Sequence, residues 1–396
     1  MDFDFLDRTL LDGSRQAILS FKSAVEGARP TDRELQDLYG RICAYSHTTR
    51  LADEYRISAV DGSGEFPALQ QDDIFLHFVT AAGATYQTAS RRQHKLSAIH
   101  LLPLTLKRFV VLSDDDEVLR AGYRDLLGGL LGLDLEQLVE DSDYCRAFGQ
   151  FGASLRPAEI TWDNLALSKA SQVATHAYLL RSLAELSMAI RMLPRRPRYL
   201  LLDTSLVYFL LGETLYLPEL LKRYLITQAN AQGTAVVALC KSHSIPNGDL
   251  LSRHAREQLG LKDHWYLRLP SAALGERVPG FLEGREIPPK LSVSYLFKFE
   301  ATTFPMRLDL DAAWWQAEIG GDAAREQRLF ADLDFTCHEV RSYGYPYPMH
   351  AAHRSSALSR QERKLLRDLL MQHAQREGVG PGPFQLDPES LHMAGM

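Results

Sequence analysis

The chain has 396 residues, of which 45% are hydrophobic and 24% charged, an ordinary balance for a globular protein with enough apolar material for a sizeable core. A formal net charge of −6 and a pI near 6.1 exclude a domain that is basic throughout, the usual footprint of nucleic-acid binding, and leave only local cationic patches. Cys43, Cys145, Cys240 and Cys337 form no CxxC pair and no metal spacing, as expected in a reducing compartment.

The N-terminus, Met1-Asp2-Phe3-Asp4-Phe5, lacks the basic flank and apolar stretch of a signal peptide. No apolar run approaches membrane-spanning length, so a cytoplasmic protein is expected. Residues 1–50 read as a helical segment. Ile18, Phe21 and Val25 fall at helical spacing, and Asp12-Gly13-Ser14 reads as a cap before that run. Thr31-Asp32-Arg33-Glu34 starts a second helix, expected through Cys43. Tyr55 to Val60 then reads as a strand ending at Asp61-Gly62-Ser63-Gly64. The β-rich runs 73–81, 98–104 and 108–112 suggest an antiparallel meander. Arg91-Arg92-Gln93-His94-Lys95 lies among them, a cationic cluster that also reads as a solvated surface.

Ser113-Asp114-Asp115-Asp116 opens a helical insertion of about 113–160. A long helix is expected from Trp162 to Met192, with Leu179, Leu183, Leu186, Ile190 and Leu193 as its buried stripe and Pro194 and Pro197 as its stop. Tyr199 to Leu202 and Ala235 to Cys240 are short apolar runs typical of strands buried on both faces. A helix from Pro218 to Ala231 connects them. Tyr295 to Phe299 and Phe304 to Leu310 read as strands, and Glu326 to Leu333 as a helix. After the rigid loop Gly344-Tyr345-Pro346-Tyr347-Pro348 a final helix runs to about Arg376, carrying the basic residues Arg354, Arg360, Arg363, Lys364 and Arg367. The Gly- and Pro-rich tail, 377–396, is expected to be mobile.

Buried strands joined by helices pair in parallel through right-handed crossovers, and their C-terminal ends share one sheet edge, where α/β folds place their sites. Three runs end in a polar residue there: Val60 to Asp61, Leu202 to Asp203 and Cys240 to Lys241. Two carboxylates at adjacent strand ends suit a hard divalent ion such as Mg²⁺ or Mn²⁺. Such an ion generates hydroxide and stabilises a leaving oxygen in phosphodiester cleavage. A nearby lysine offsets charge on the transferring phosphate, and the small residues after Asp61 let a phosphate or backbone approach closely. Spacing alone leaves alternatives open: Asp-Gly-Ser is a common turn, and a strand-end Asp often caps a helix.

Four blocks, in order, resemble the NurA nucleases that work with HerA-type ATPases. They are Ile57-Ser58-Ala59-Val60-Asp61-Gly62-Ser63-Gly64, Leu200-Leu201-Leu202-Asp203-Thr204-Ser205-Leu206, Val236-Val237-Ala238-Leu239-Cys240-Lys241-Ser242 and Gly344-Tyr345-Pro346-Tyr347-Pro348-Met349-His350-Ala351-Ala352-His353. The fourth is the most specific. In the second, Thr204 stands where the family usually has Gly. The resemblance implies an RNase H-like α/β fold, a mixed sheet with flanking helices, as one nuclease domain over 51–376. It implies that Asp61, Glu185, Asp203 and His353 bind Mn²⁺ or Mg²⁺, and that Lys241 and Tyr345 position the phosphate. Glu185 enters because the family expects an acid on the helix before Asp203; an ordinary surface glutamate is the alternative. His350 fits the pattern less well than His353. The implied activity is DNA hydrolysis, exonucleolytic from 5′ to 3′ and endonucleolytic on single strands, in DNA end processing. The implied partners are DNA, a HerA-like hexameric ATPase and a second copy of the chain. The sequence has no Gly-x-x-x-x-Gly-Lys-[Ser/Thr] phosphate loop, so a motor would have to be external. Competing readings are a catalytically inactive DNA clamp or assembly subunit of the same fold, and a hydrolase of small phosphoesters.

Overall fold

The computed structural model describes residues 8–27, 32–46, 53–63, 67–89, 95–99, 103–149, 156–167, 169, 171–208, 215–241, 245–259, 264–283, 290–299, 304–342 and 344–379. The elements begin α1 (Arg8–Gly27), α2 (Asp32–Tyr39), β1 (Ile42–Ala44), β2 (Arg56–Ser63), β3 (Pro67–Gln71), β4 (Ile74–Ala89), β5 (Lys95–Ala98) and β6 (Leu104–Ser113). Then come α3 (Asp116–Leu131), α4 (Leu135–Glu140), α5 (Tyr144–Gly149), α6 (Val173–Met192), β7 (Tyr199–Leu202), α7 (Leu217–Ala231) and β8 (Ala235–Cys240). The chain continues with α8 (Gly248–Gln258), β9 (Trp265–Arg268), β10 (Ser292–Lys298), β11 (Met306–Asp311), α9 (Ala312–Glu318), α10 (Ala323–Phe335), α11 (Tyr347–Ser356) and α12 (Arg360–Arg376).

All the strands among the described residues join one mixed sheet of 11, with the main path β1-β9-β10-β11-β8-β7-β2-β4-β3 and with β5 and β6 also paired to β4. Its centre is parallel: β2 pairs β7, and β7 pairs β8. Antiparallel β4 and β6 follow β2 on one side, and antiparallel β11 lies beyond β8 on the other. The order β6-β4-β2-β7-β8, with α6 and α7 as the crossovers, is the RNase H-like arrangement expected above.

The central strands are apolar on both faces because helices cover both faces. The alternation is visible in the side chains. Leu200, Leu202, Val236 and Ala238 join the core beneath α3–α7, while Tyr199, Leu201, Ala235, Val237 and Leu239 join the opposite core beneath α9–α11. Two glycines let α6 approach the first of these faces. A Cβ on Gly62 would lie 2.8 Å from the backbone oxygen of Arg181, and one on Gly83 would lie 2.7 Å from Met192 Sδ. From the other face α11 packs across β2 and β4. The strand carrying Asp61 is thus clasped between two helices.

Several boundaries differ from the sequence reading. Asp12-Gly13-Ser14 lies inside α1 rather than before it, and the second helix stops at Tyr39, so that Ile42–Ala44 pairs β9 as a strand. Helix α6 starts at Val173, not Trp162; the preceding segment is held by a parallel bridge between Leu165 and Leu215. Of the expected 98–104 strand, Ala98 ends β5 and Leu104 begins β6, while residues 100–102 lie outside the described residues. The last helix is two, broken where Ser359 caps α12 in a reciprocal pair with Glu362. Asp115 caps α3 as the acidic run suggested. The cluster 91–94 and tail residues 380–396 lie outside the described residues. No helix among the described residues is long and apolar enough to cross a membrane.

Candidate functional site

The site forms where parallel pairing of β2 and β7 ends. Val60 and Leu202 are the last partners of that pair, so Asp61 and Asp203 are successive residues on neighbouring strands. Strand β2 itself runs on to Ser63 against β4, and Asp61 is therefore inside a strand rather than in a turn. Its carboxylate is buried, 4% exposed, and is engaged from both faces. Oδ1 accepts Arg181 Nη2 from α6 at 3.2 Å. Oδ2 accepts Ser356 Oγ at 2.7 Å and lies 2.8 Å from His353 Nδ1, both on α11. His353 and Ser356 are three residues apart on one helical face, which is why both reach the same oxygen.

Glu185 lies one turn beyond Arg181 on α6, so the two share a face. It is 4% exposed, and its Oε1 accepts the backbone N–H of Asp203 at 3.1 Å. Burial first, and then the Asp61 charge, push its carboxyl up to about 8; Asp203 adds to this and Arg181 opposes it. Burial works against the Arg181 charge, but Asp61, Glu185 and Asp203 together hold it above the usual arginine range. Arg181 thus faces all three acids.

Lys241 follows β8 and donates Nζ to Asp203 Oδ2 at 3.1 Å. The same Nζ lies 4.5 Å from the centre of the Tyr345 ring, a cation–π contact. The Tyr345 hydroxyl is buried with no hydrogen-bond partner among the described residues. Burial, then the Asp203 and Asp61 charges, raise its pKa. Gly344, at φ 91°, supplies the left-handed turn into α11, and Pro348 sits in that helix's first turn where no N–H partner is needed. These two residues aim Tyr345 and His353 at the acids. His350 instead lies beside the Tyr347 ring.

The loop after β7 is held along its backbone. Cys240 Sγ donates to Thr204 O at 3.0 Å, Asp309 Oδ2 accepts Leu206 N–H at 3.1 Å, Ser292 Oγ donates to Leu206 O at 2.7 Å and Lys222 Nζ donates to Val207 O at 3.1 Å. Thr204 is not among the described non-glycine residues with positive φ, so this turn needs no glycine.

All six residues singled out in the sequence gather here: Asp61, Glu185, Asp203, Lys241, Tyr345 and His353. Sequence reasoning missed Arg181 and Ser356 as members. The available signals were their helical spacings, four residues from Glu185 and three from His353. Of the two groups expected to approach the small residues after Asp61, a phosphate or a backbone, the backbone of α6 is the one that lies against Gly62. In the basic stretch Arg195-Arg196-Pro197-Arg198 before β7, Arg195 donates to Thr85, and Arg198 pairs with Asp53 and Asp332.

Three carboxylates and an imidazole form a donor set that suits Mg²⁺ or Mn²⁺. Burial and the neighbouring Asp61 and Asp203 charges keep Glu185 raised despite Arg181. Among the described residues no three His, Cys, Asp or Glu side chains already stand at ligand spacing; cationic side chains bridge the acids instead.

No protein-family model and no curated protein matches the sequence. Among solved structures, the NurA nuclease from Sulfolobus solfataricus is 12% identical over 94% of this chain and 98% of its own, with a TM-score of 0.48. A NurA bound to dAMP and manganese is 14% identical over 93% of this chain and 97% of its own, with a TM-score of 0.41. An endonuclease V from Ciona intestinalis, solved with a 23mer DNA, is 11% identical over 86% of this chain and 100% of its own, with a TM-score of 0.34. By the strand order of its own sheet, the chain has the RNase H-like architecture expected from its sequence.

Proposed function

We propose that the chain is a metal-dependent nuclease that hydrolyses phosphodiester bonds in DNA. The observation that carries this reading is the gathering of Asp61, Glu185 and Asp203 around one guanidinium at the end of the β2–β7 pair. A cluster of acids one step past a parallel strand pair has little structural value of its own, since like charges at close range oppose folding.

Asp61, Glu185, Asp203 and His353 would hold Mn²⁺ or Mg²⁺. When bound, such an ion supplies an activated water and neutralises charge on the phosphate. The protein's own groups act around it. Lys241 and Tyr345, stacked on each other beside Asp203, would orient the phosphate. Ser356 and His353 fix the Asp61 carboxylate, and Glu185 ties the acids on the two strands together through the Asp203 backbone. His353 is 59% exposed, and an imidazole at the mouth of the site can pass a proton to solvent.

The finer reading follows the family resemblance. The activity would be 5′-to-3′ exonucleolytic with single-strand endonuclease action, in DNA end processing. The chain would act in the cytoplasm as a homodimer fed by a HerA-like hexameric ATPase. The test is incubation of the pure protein with linear and single-stranded DNA in Mn²⁺, Mg²⁺ or EDTA, alone and with such a motor. Metal-dependent degradation that disappears in D61N is expected. DNA binding without cleavage under every condition would instead support the inactive clamp, and cleavage confined to small phosphoesters the third reading.

A further inference from the structure

The engagement of Asp61 has a consequence for any cation that binds there. Its two oxygens are met by three protein groups: Arg181 at 3.2 Å on Oδ1, and Ser356 at 2.7 Å and His353 at 2.8 Å on Oδ2. Three of the carboxylate's roughly four acceptor sites are thus in use, and a divalent ion ligated by Asp61 arrives beside groups already holding it. Ser356 is a neutral donor 1% exposed, set deep behind the carboxylate, and its bond is compatible with a ligating oxygen elsewhere on the group. Arg181 is different, because a guanidinium and a metal ion both require the negative charge of the same carboxylates and repel each other.

The position of Arg181 is built rather than incidental. The backbone of α6 meets β2 at Gly62: a Cβ there would lie 2.8 Å from Arg181 O and 3.3 Å from Arg181 Cγ. The aliphatic stem therefore lies over Gly62 and aims the head at the neighbouring Asp61. From there the guanidinium faces Glu185 and Asp203 as well. An arginine cannot leave such a site by losing its proton, as a lysine can. It can leave by rotation, and its side chain is 32% exposed against 4% for Asp61. Its planar fork then matches a phosphate.

We propose that Arg181 is an internal counter-cation of the acid cluster, displaced from Asp61 by the divalent ion and transferred to the phosphate of the DNA strand. The proposal rests on the metal-dependent nuclease reading and adds that metal and Arg181 are mutually exclusive on Asp61. Removing a side chain that contacts the substrate would then tighten metal binding while slowing cleavage.

The experiment is a calorimetric titration of Mn²⁺ into the DNA-free protein, wild type against R181M, which keeps the stem over Gly62, and R181Q as a second variant. Mn²⁺ is expected to bind about tenfold more tightly to the variants, a factor worth about 1.4 kcal/mol and at the low end for a hydrogen bond to a charged group. DNA cleavage at saturating Mn²⁺ is expected to fall. In EDTA, R181M should lower the melting temperature of the wild type by more than that of D61N, because in D61N the Asp61 partner is already gone and only the Glu185 and Asp203 charges remain. Equal or weaker Mn²⁺ binding by a folded variant overturns the counter-cation while leaving the nuclease standing. So do additive melting losses in the D61N background. No Mn²⁺ binding by the wild type overturns the metal site and this inference together.

Discussion

Glu185 offers the sharpest quantitative test, because its proton inventory changes on folding. In the unfolded chain its carboxyl titrates near 4.5; in the folded protein burial and the Asp61 charge push it up to about 8. The folded state therefore binds more protons than the unfolded state between these values, and stability must fall as pH rises through that window. The contribution is fully present below about pH 4.5 and is lost by about pH 8. The slope is about 1.4 kcal/mol per pH unit, so from pH 5 to pH 8 this one group removes roughly 3–4 kcal/mol. A chain of this length has an unfolding entropy that converts 1 kcal/mol to about 1 °C, so the loss is about 4 °C in melting temperature. Glu185→Gln keeps the acceptor for the Asp203 N–H and has no proton to lose. Melting curves in EDTA at half-unit steps should show wild type and E185Q close together at pH 5. They should then separate, with E185Q the more stable by about 4 °C at pH 8. Parallel curves across the window would refute the argument that Glu185 is protonated in the metal-free site. The same linkage makes metal binding release a proton from wild type below about pH 8, which titration in buffers of different ionisation enthalpy measures directly.

Two other substitutions probe how the site is assembled. Gly62→Ala places a methyl 2.8 Å from the Arg181 carbonyl; it should cost roughly 1–3 kcal/mol by forcing α6 off β2, with DNA cleavage falling as Glu185 moves away from Asp203. An unchanged melting temperature with unchanged cleavage would show that α6 does not need this contact. Tyr345→Phe deletes a buried hydroxyl that has no partner among the described residues, so thermal melting should show unchanged or slightly raised stability, by up to about 1 kcal/mol. A fall in cleavage without a fall in stability then assigns the hydroxyl to the phosphate, whereas full activity confines Tyr345 to packing under Lys241.

The parts of the fold that sequence periodicity reached share a physical cause. Strands β7 and β8 are covered on both faces and therefore read as unbroken apolar runs, while β2, equally covered, is interrupted only by Ser58 before Asp61. Their polar exits, Asp61, Asp203 and Lys241, followed from the same runs. What escaped was set by pairing across long sequence separations. Three residues, Ile42 to Ala44, carry no pattern of their own and become a strand only because Trp265 to Leu267 offers an edge. Helix α6 starts later than its periodicity suggests, and in the segment before it Leu165 bridges Leu215 instead, a tertiary contact that competes with local propensity.

The site shows the same division at finer grain. Local reasoning suffices for a residue whose position depends on its own element, such as Asp203 at the end of β7. It fails for Arg181, whose importance depends on Gly62 being a glycine 119 positions earlier, so that α6 can lie against β2 closely enough for an arginine stem to cross it. It also fails for Ser356, an unremarkable residue in a basic helix until α11 crosses β2 and sets its hydroxyl on Asp61. Both missed residues donate to the same carboxylate, from opposite faces of the sheet. This has a physical rationale: a buried carboxylate left without donors costs several kcal/mol, so the helices that cover the strand must each bring one. The acids make the chemistry of the site, and the donors on α6 and α11 make it compatible with a folded protein before any metal arrives.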